Sequence, residues 1–134
     1  MMQFVEPIIG GLAAFALGFA WYTVLFGKAW QAETGMTAED AQKDMARTHG
    51  LALLMMIIMS YAVNFIINMH PLADQTFIHG AFHGALAGLL YAAPSTAINY
   101  LYQRKSLKLY LIDASYQVLF LALSGGVMAA LKLA

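Results

Sequence analysis

Long apolar runs alternate with short polar gaps along this chain, and nearly all charges fall in the gaps. Ile8–Phe26, Leu51–Asn68 and Phe77–Tyr102 contain no Asp, Glu, Lys or Arg. A fourth run, Leu107–Leu131, contains only Lys108 and Asp113. Each run is near the ~20 residues that an α-helix needs to cross a ~30 Å hydrocarbon core. Lipid offers backbone amides no water, so a helix, which bonds internally, is the expected form. Barrel strands are ~10-residue alternating segments, and these runs are too long and too uniformly apolar for that. The pattern predicts an all-α fold, a single domain over 1–134. It is an integral membrane bundle of four transmembrane helices at about 5–26, 49–69, 77–102 and 107–131.

The gaps and their edges add detail. Pro7 suits a helix's first turn, so the first helix is expected to start near it. His70-Pro71 should end the second, because a residue before proline avoids the helical region. Pro94 removes an N–H inside the third run, which frees the carbonyl near Leu90 and predicts a kink. In the segment 27–48, Thr37 with Asp40 three residues on resembles a capping box. Glu39 and Asp40 in a first turn and Arg47 in a last turn suit the helix dipole. Glu39 and Lys43, four apart, can pair for ~0.2–0.5 kcal/mol. A short cytoplasmic surface helix over 38–47 is therefore expected, with a solvated connector as its plainest role.

Small and aromatic residues fall at telling intervals. Gly10, Ala14 and Gly18 form one small-xxx-small ridge, and Gly80, Gly84 and Gly88 form a second. Ser124, Gly125 and Gly126 mark another tight contact. Trp21, Tyr22, Lys28 and Trp30 close the first run as expected interface anchors, aromatics beside a base. Basic residues set the orientation. Lys28, Lys43 and Arg47 lie between runs one and two, and Arg104, Lys105 and Lys108 between or just inside runs three and four. The positive-inside bias then places 27–48 and 103–108 in the cytoplasm and both termini outside. No base precedes Lys28, so the first run lacks the basic region of a signal peptide and is expected to be a retained helix.

Composition agrees with the pattern. Only 10% of residues are charged, against roughly a quarter in soluble domains. There is no cysteine, which excludes disulfides, thiolate catalysis and Cys-based zinc sites. A formal net charge of zero argues against nucleic acid as a partner.

Few polar groups remain inside the runs. A carboxylate within a membrane helix costs ~2.5–3.5 kcal/mol on insertion scales, so Asp113 is the leading candidate. Tyr116 and Gln117 share its face, and Asn99 and Tyr100 approach the same level. One reading is a proton- or cation-coupling site. The plainer one is an anchor near the interface, bonded to Asn99, Tyr100 or Arg104. His79 and His83 have the spacing of two ligands on one helix face, and His70 and Asp74 lie on the same side. No metal-binding motif accompanies them, and interfacial histidines bonded to neighbours are the plainer reading. Ser60, Asn64 and Asn68 share one face of the second run, and Asn64, Asn68 and Asn99 read as interhelical glue.

Two stretches carry a family likeness. One is Gly18-Phe-Ala-Trp-Tyr-Thr-Val-Leu-Phe-Gly-Lys-Ala-Trp30, followed by Gly-Met-Thr-Ala-Glu-Asp at 35–40. The other is Asn99-Tyr-Leu-Tyr-Gln-Arg-Lys-Ser-Leu-Lys-Leu-Tyr-Leu-Ile-Asp-Ala-Ser-Tyr116. The chain resembles, over nearly its whole length, the bacterial membrane family known as domain of unknown function 1761. The resemblance implies a small four-helix protein of a bacterial cytoplasmic (inner) membrane. It singles out Trp21, Tyr22, Gly27, Lys28, Asn99, Tyr100, Leu107, Asp113 and Tyr116, and it carries no activity.

The expectations are then a multi-pass protein in the lipid bilayer, homo-oligomeric because its Gly ridges exceed one bundle's needs. No metal, cofactor or enzymatic activity is expected. The first functional reading is a small transporter or channel-like protein, with Asp113, Tyr116, Gln117 and Asn99 lining a polar site. The alternative is a non-catalytic scaffold or accessory subunit. A metal or haem protein using His79 and His83 comes third.

Overall fold

The computed structural model describes residues 2–133, and among them every regular element is helical. Helix α1 (Met2–Phe19) runs on through a π-helical turn, Ala20–Leu25. Helix α2 (Gly27–Thr34) follows and ends on Gly35, whose φ of 71° is the left-handed cap that glycine adopts without strain. Then come α3 (Ala38–Gln42), α4 (Met45–Ile67) and a 3-10 turn, Leu72–Asp74. Helix α5 (Phe77–Ala87), a second π turn (Gly88–Ala92) and α6 (Ala93–Tyr102) run end to end. Helix α7 (Leu107–Leu133) completes the order.

Three helical stretches are long and apolar enough to cross a membrane: Phe4–Leu25, Met45–Ile67 and Leu107–Lys132. The expected fourth, over 77–102, is helical throughout but does not stand with those three. Its own residues give the reason, since His79, His83, Pro94, Ser95, Thr96 and Asn99 dilute its apolar character. Pro94 follows directly on a change in the helix's hydrogen bonding. The hydrogen-bond ladder widens to a π turn ahead of it, and helical dihedrals hold at Gly88 (−61°, −47°) and Ala93 (−65°, −48°). Such a turn is one way a helix absorbs a missing N–H.

Helix α7 is the axle. It packs against α1, α2, α4, α5 and α6. Its Phe120, Leu121, Met128 and Ala129 form the core with Ala14 of α1 and Val63 and Ile67 of α4. The closest approach is α5 on α7, where a side chain on Gly80 would meet the Gly125 carbonyl and one on Gly84 the Leu121 carbonyl. Gly88 faces the Val118 backbone in the same way. On the other side, Gly10 lies under Ser124 and Met128, Gly18 under the Tyr116 ring, and Gly11 against Ile57 of α4. Both predicted ridges are thus spent inside the chain, which removes the ridge argument for a homo-oligomer. Large apolar side chains such as Val24, Phe65, Ile78 and Leu90 point outward, which suits hydrocarbon rather than water.

Three local expectations are corrected. The first helix begins well before Pro7, which lies inside α1. The single surface helix over 38–47 is divided, because Lys43 is extended (φ −69°, ψ 133°) and Asp44 left-handed (φ 51°). Arg47 therefore belongs to the first turn of α4, and a further helix, α2, precedes Gly35. Lys43 pairs with Asp40 at 3.1 Å rather than with Glu39. The capping box of Thr37 and Asp40 is present in both directions.

Candidate functional site

Asp113 lies two turns into α7, half-buried, where three stretches of chain meet. Tyr22, in the π turn after α1, donates its hydroxyl to Oδ1 at 2.6 Å. Tyr100, near the end of α6, donates its hydroxyl to Oδ2. Each carboxylate oxygen is therefore taken by a phenol from a different segment. Two side-chain hydrogen bonds to one carboxyl group thus tie three segments at a single residue.

Aromatic rings wall this cluster. Tyr116, one turn deeper on α7, meets Tyr22 edge to face with centroids 5.2 Å apart. Its hydroxyl donates to the Ala14 carbonyl at 2.8 Å, a direct tie between α7 and α1. Trp21 is buried, and its indole Nε1–H donates to the Ile112 carbonyl at 3.0 Å. Trp30 lies edge-on to Tyr22 at 6.1 Å. The Lys105 ammonium sits 4.8 Å over the Tyr100 ring. Helical spacing explains the arrangement, since Asp113, Tyr116 and Phe120 share one face of α7.

Of the five residues the sequence grouped here, three are brought together: Asp113, Tyr100 and Tyr116. Asn99 is exposed and Gln117 half-buried, with its Oε1 lacking a hydrogen-bond partner. Tyr22 joins the carboxylate directly and Trp21 turns into the bundle, whereas Lys28 is exposed. Arg104 is exposed at a left-handed turn (φ 55°) between α6 and α7. Among the described residues the ion pairs are Lys43–Asp40 and Lys132–Glu6, so Asp113 is held by phenols rather than by a cation. An apolar groove of about 510 Å³ lies nearby, lined by Trp21, Phe26, Ala29, Leu107, Leu111 and Ile112; Asp113 does not line it.

A second polar network was not foreseen. Glu6, buried near the start of α1, faces Lys132 near the end of α7 at 3.7 Å. The Asn64 amide donates to Glu6 Oε2 at 3.2 Å, and Lys132 donates to Asn68 Oδ1. Further in, the hydroxyls of Ser60 and Ser124 are 2.6 Å apart. The face of Ser60, Asn64 and Asn68 was legible in the sequence. Its charged partners were not, because the apolar run counted from Ile8 leaves Glu6 outside it. The single base at the end of the fourth run was the available signal.

The histidines converge too. His70, His79 and His83 meet beside the α4–α5 connection, while Asp74 stays outside the group.

Comparison with known proteins adds one finding. No curated protein and no solved structure matches the chain. A family model does, over residues 6–129. That stretch takes in Glu6, both aromatic–basic signatures, the histidines and Asp113. The chain therefore belongs to the family described as "Protein of unknown function (DUF1761)".

Proposed function

We propose that the chain is a non-catalytic membrane scaffold or accessory protein, with four spans. The observation that carries this reading is the saturation of Asp113. Both of its oxygens hold phenols, and through them the carboxylate joins the end of the first helix, the end of α6 and the start of α7. Several other buried polar groups also tie helix to helix: Tyr116 to Ala14, Ser60 to Ser124, Glu6 to Lys132. The fourth span is α5 with its π turn and α6. It is supported by continuity from Phe77 to Tyr102 and by contact with α7 along both halves, through the Gly ridge and through the Tyr110 hydroxyl on the Ala93 carbonyl. The basic residues then favour 27–48 and 103–108 on the cytoplasmic side.

Liposomes test the reading. Purified protein is reconstituted, and proton flux under an imposed pH gradient is compared between wild type and Asp113→Asn. A scaffold gives background flux in both, with a lowered melting temperature in the variant. Flux above empty liposomes that vanishes in Asp113→Asn would overturn the scaffold. It would favour the second reading, a small transporter or channel-like protein. That reading has its own support: the buried Gln117 Oε1 and Asn64 Oδ1 lack protein partners, as groups lining a path for water or solute do.

A further inference from the structure

We propose that His70, His79 and His83 form a binding site for one divalent transition-metal ion of the zinc, copper or nickel kind. One ring nitrogen from each histidine lies within 4.8 Å of the other two. The Nε2 atoms of His79 and His83 are 3.0 Å apart. The three rings pack with centroids 4.6, 4.6 and 4.7 Å apart. A tetrahedral zinc with Zn–N bonds of ~2.0–2.1 Å sets its ligand nitrogens about 3.3 Å from one another. The His79–His83 pair is already close to that separation, and the third nitrogen needs a movement of about an ångström or two.

The chain fixes these rings before any ion arrives. Spacing of four residues puts His79 and His83 on one face of α5. The start of α5 is set by Thr76, whose hydroxyl accepts from the His79 N–H at 3.2 Å. Rotation of α5 is blocked by Gly80 and Gly84, which lie against the α7 backbone. His70 comes from the connection after α4. Its Nδ1 is 3.1 Å from the Ile66 carbonyl, so Nδ1 carries the proton and Nε2 keeps a free lone pair. A histidine ligand whose other nitrogen donates to a backbone carbonyl is the usual outer-shell arrangement of metal sites. Gln75, buried, donates its amide to the His70 carbonyl at 2.7 Å and steadies the turn.

The donor set selects the ion. Three imidazoles without a carboxylate favour borderline transition ions over magnesium or calcium, which take oxygen. All three histidines are half-exposed, so water or a small ligand completes the coordination. Three imidazole nitrogens converge here on one point with no carboxylate in the group, a donor set whose lone pairs a single cation can take up. Structural ties of the kind seen at Asp113 do not require that convergence.

The test uses the full chain in detergent, purified through a histidine-free tag, stripped with chelator and titrated with Zn²⁺ alone by calorimetry. The expected result is one ion per chain and a rise in melting temperature on adding zinc. His79→Gln with His83→Gln should weaken binding at least about tenfold, while His49→Gln, at the other end of α4, leaves it unchanged. His70→Gln alters only the connection and should weaken binding while helicity by circular dichroism is retained. Co²⁺ in place of zinc should show visible absorption that the double variant lacks. No stoichiometric binding to wild type, or equal binding to the double variant, would overturn the site.

Discussion

At Asp113 one side chain does what a set of apolar contacts does elsewhere: it fixes the relative position of three segments. Removing a donor leaves one oxygen free, whereas removing the carboxylate orphans two phenols at once. Tyr22→Phe and Tyr100→Phe should each lower stability by about 0.6–2 kcal/mol, the range for interhelical hydrogen bonds in membranes. Asp113→Ala should cost more than either. Unfolding in mixed micelles, followed by circular dichroism, measures the order, and a milder effect of Asp113→Ala would break the argument. The sequence exposed Asp113 because it is the one acid within the fourth apolar run. It hid Tyr22 as a partner, since a tyrosine beside a tryptophan near the end of a run reads equally well as a headgroup anchor. Only the π turn after α1 decides that this ring faces inward, and no residue in Ala20–Leu25 announces such a turn.

Between elements, the glycines divide into those that are indispensable and those that are not. A methyl at Gly84 meets backbone, which cannot move aside as a side chain can. Gly84→Ala should separate α5 from α7 and cost about 1–3 kcal/mol, as overpacking does. Gly50, helical in α4 with open space around it, makes the control. Gly50→Ala should be neutral or stabilising by up to about 1 kcal/mol. Equal melting temperatures for the two variants would contradict the close α5–α7 contact. At α3 the cap is electrostatic. The Thr37 backbone N–H, then its hydroxyl, then Lys43 hold the Asp40 carboxyl below the usual carboxylate range. A lowered folded value means the cap's contribution is complete above the unfolded value near ~3.9 and is lost as pH falls through the folded one. The protection factor of the Asp40 amide, its exchange rate relative to the unstructured rate at the same pH, should therefore be constant through neutral pH and fall only below about pH 4, and Asp40→Asn should flatten that response. Thr37 and Asp40 were readable because a capping box is local in sequence. The break at Lys43 and Asp44 was not, because the chain there answers to where α4 must begin.

For the whole molecule, apolar run length gave the order of the long helices, and side-chain charge gave an orientation. The absence of native cysteine makes that orientation easy to check. Single cysteines at Glu39 and Asp74, both on exposed connections, should react with a membrane-impermeant maleimide from opposite sides of the bilayer. Labelling from the same side would mean that α4, the helix between them, does not cross the bilayer, and would remove the four-span arrangement with it. What run length did not convey is that the helices are unequal: α1, α4 and α5 each pack on α7, which follows them in chain order. This has a consequence for how the protein is made. While a ribosome is still synthesising it, α1, α4 and α5 emerge before the helix that packs against all three. Glu6 then lacks Lys132, Ser60 lacks Ser124, and the ridge of Gly80 and Gly84 lies open to lipid. Individually stable helices that associate afterwards tolerate such a wait. Yet the interval leaves buried polar groups and a bare helix groove without their partners. Within these residues the packing is closed by α7, whose Lys132 meets Glu6 of α1.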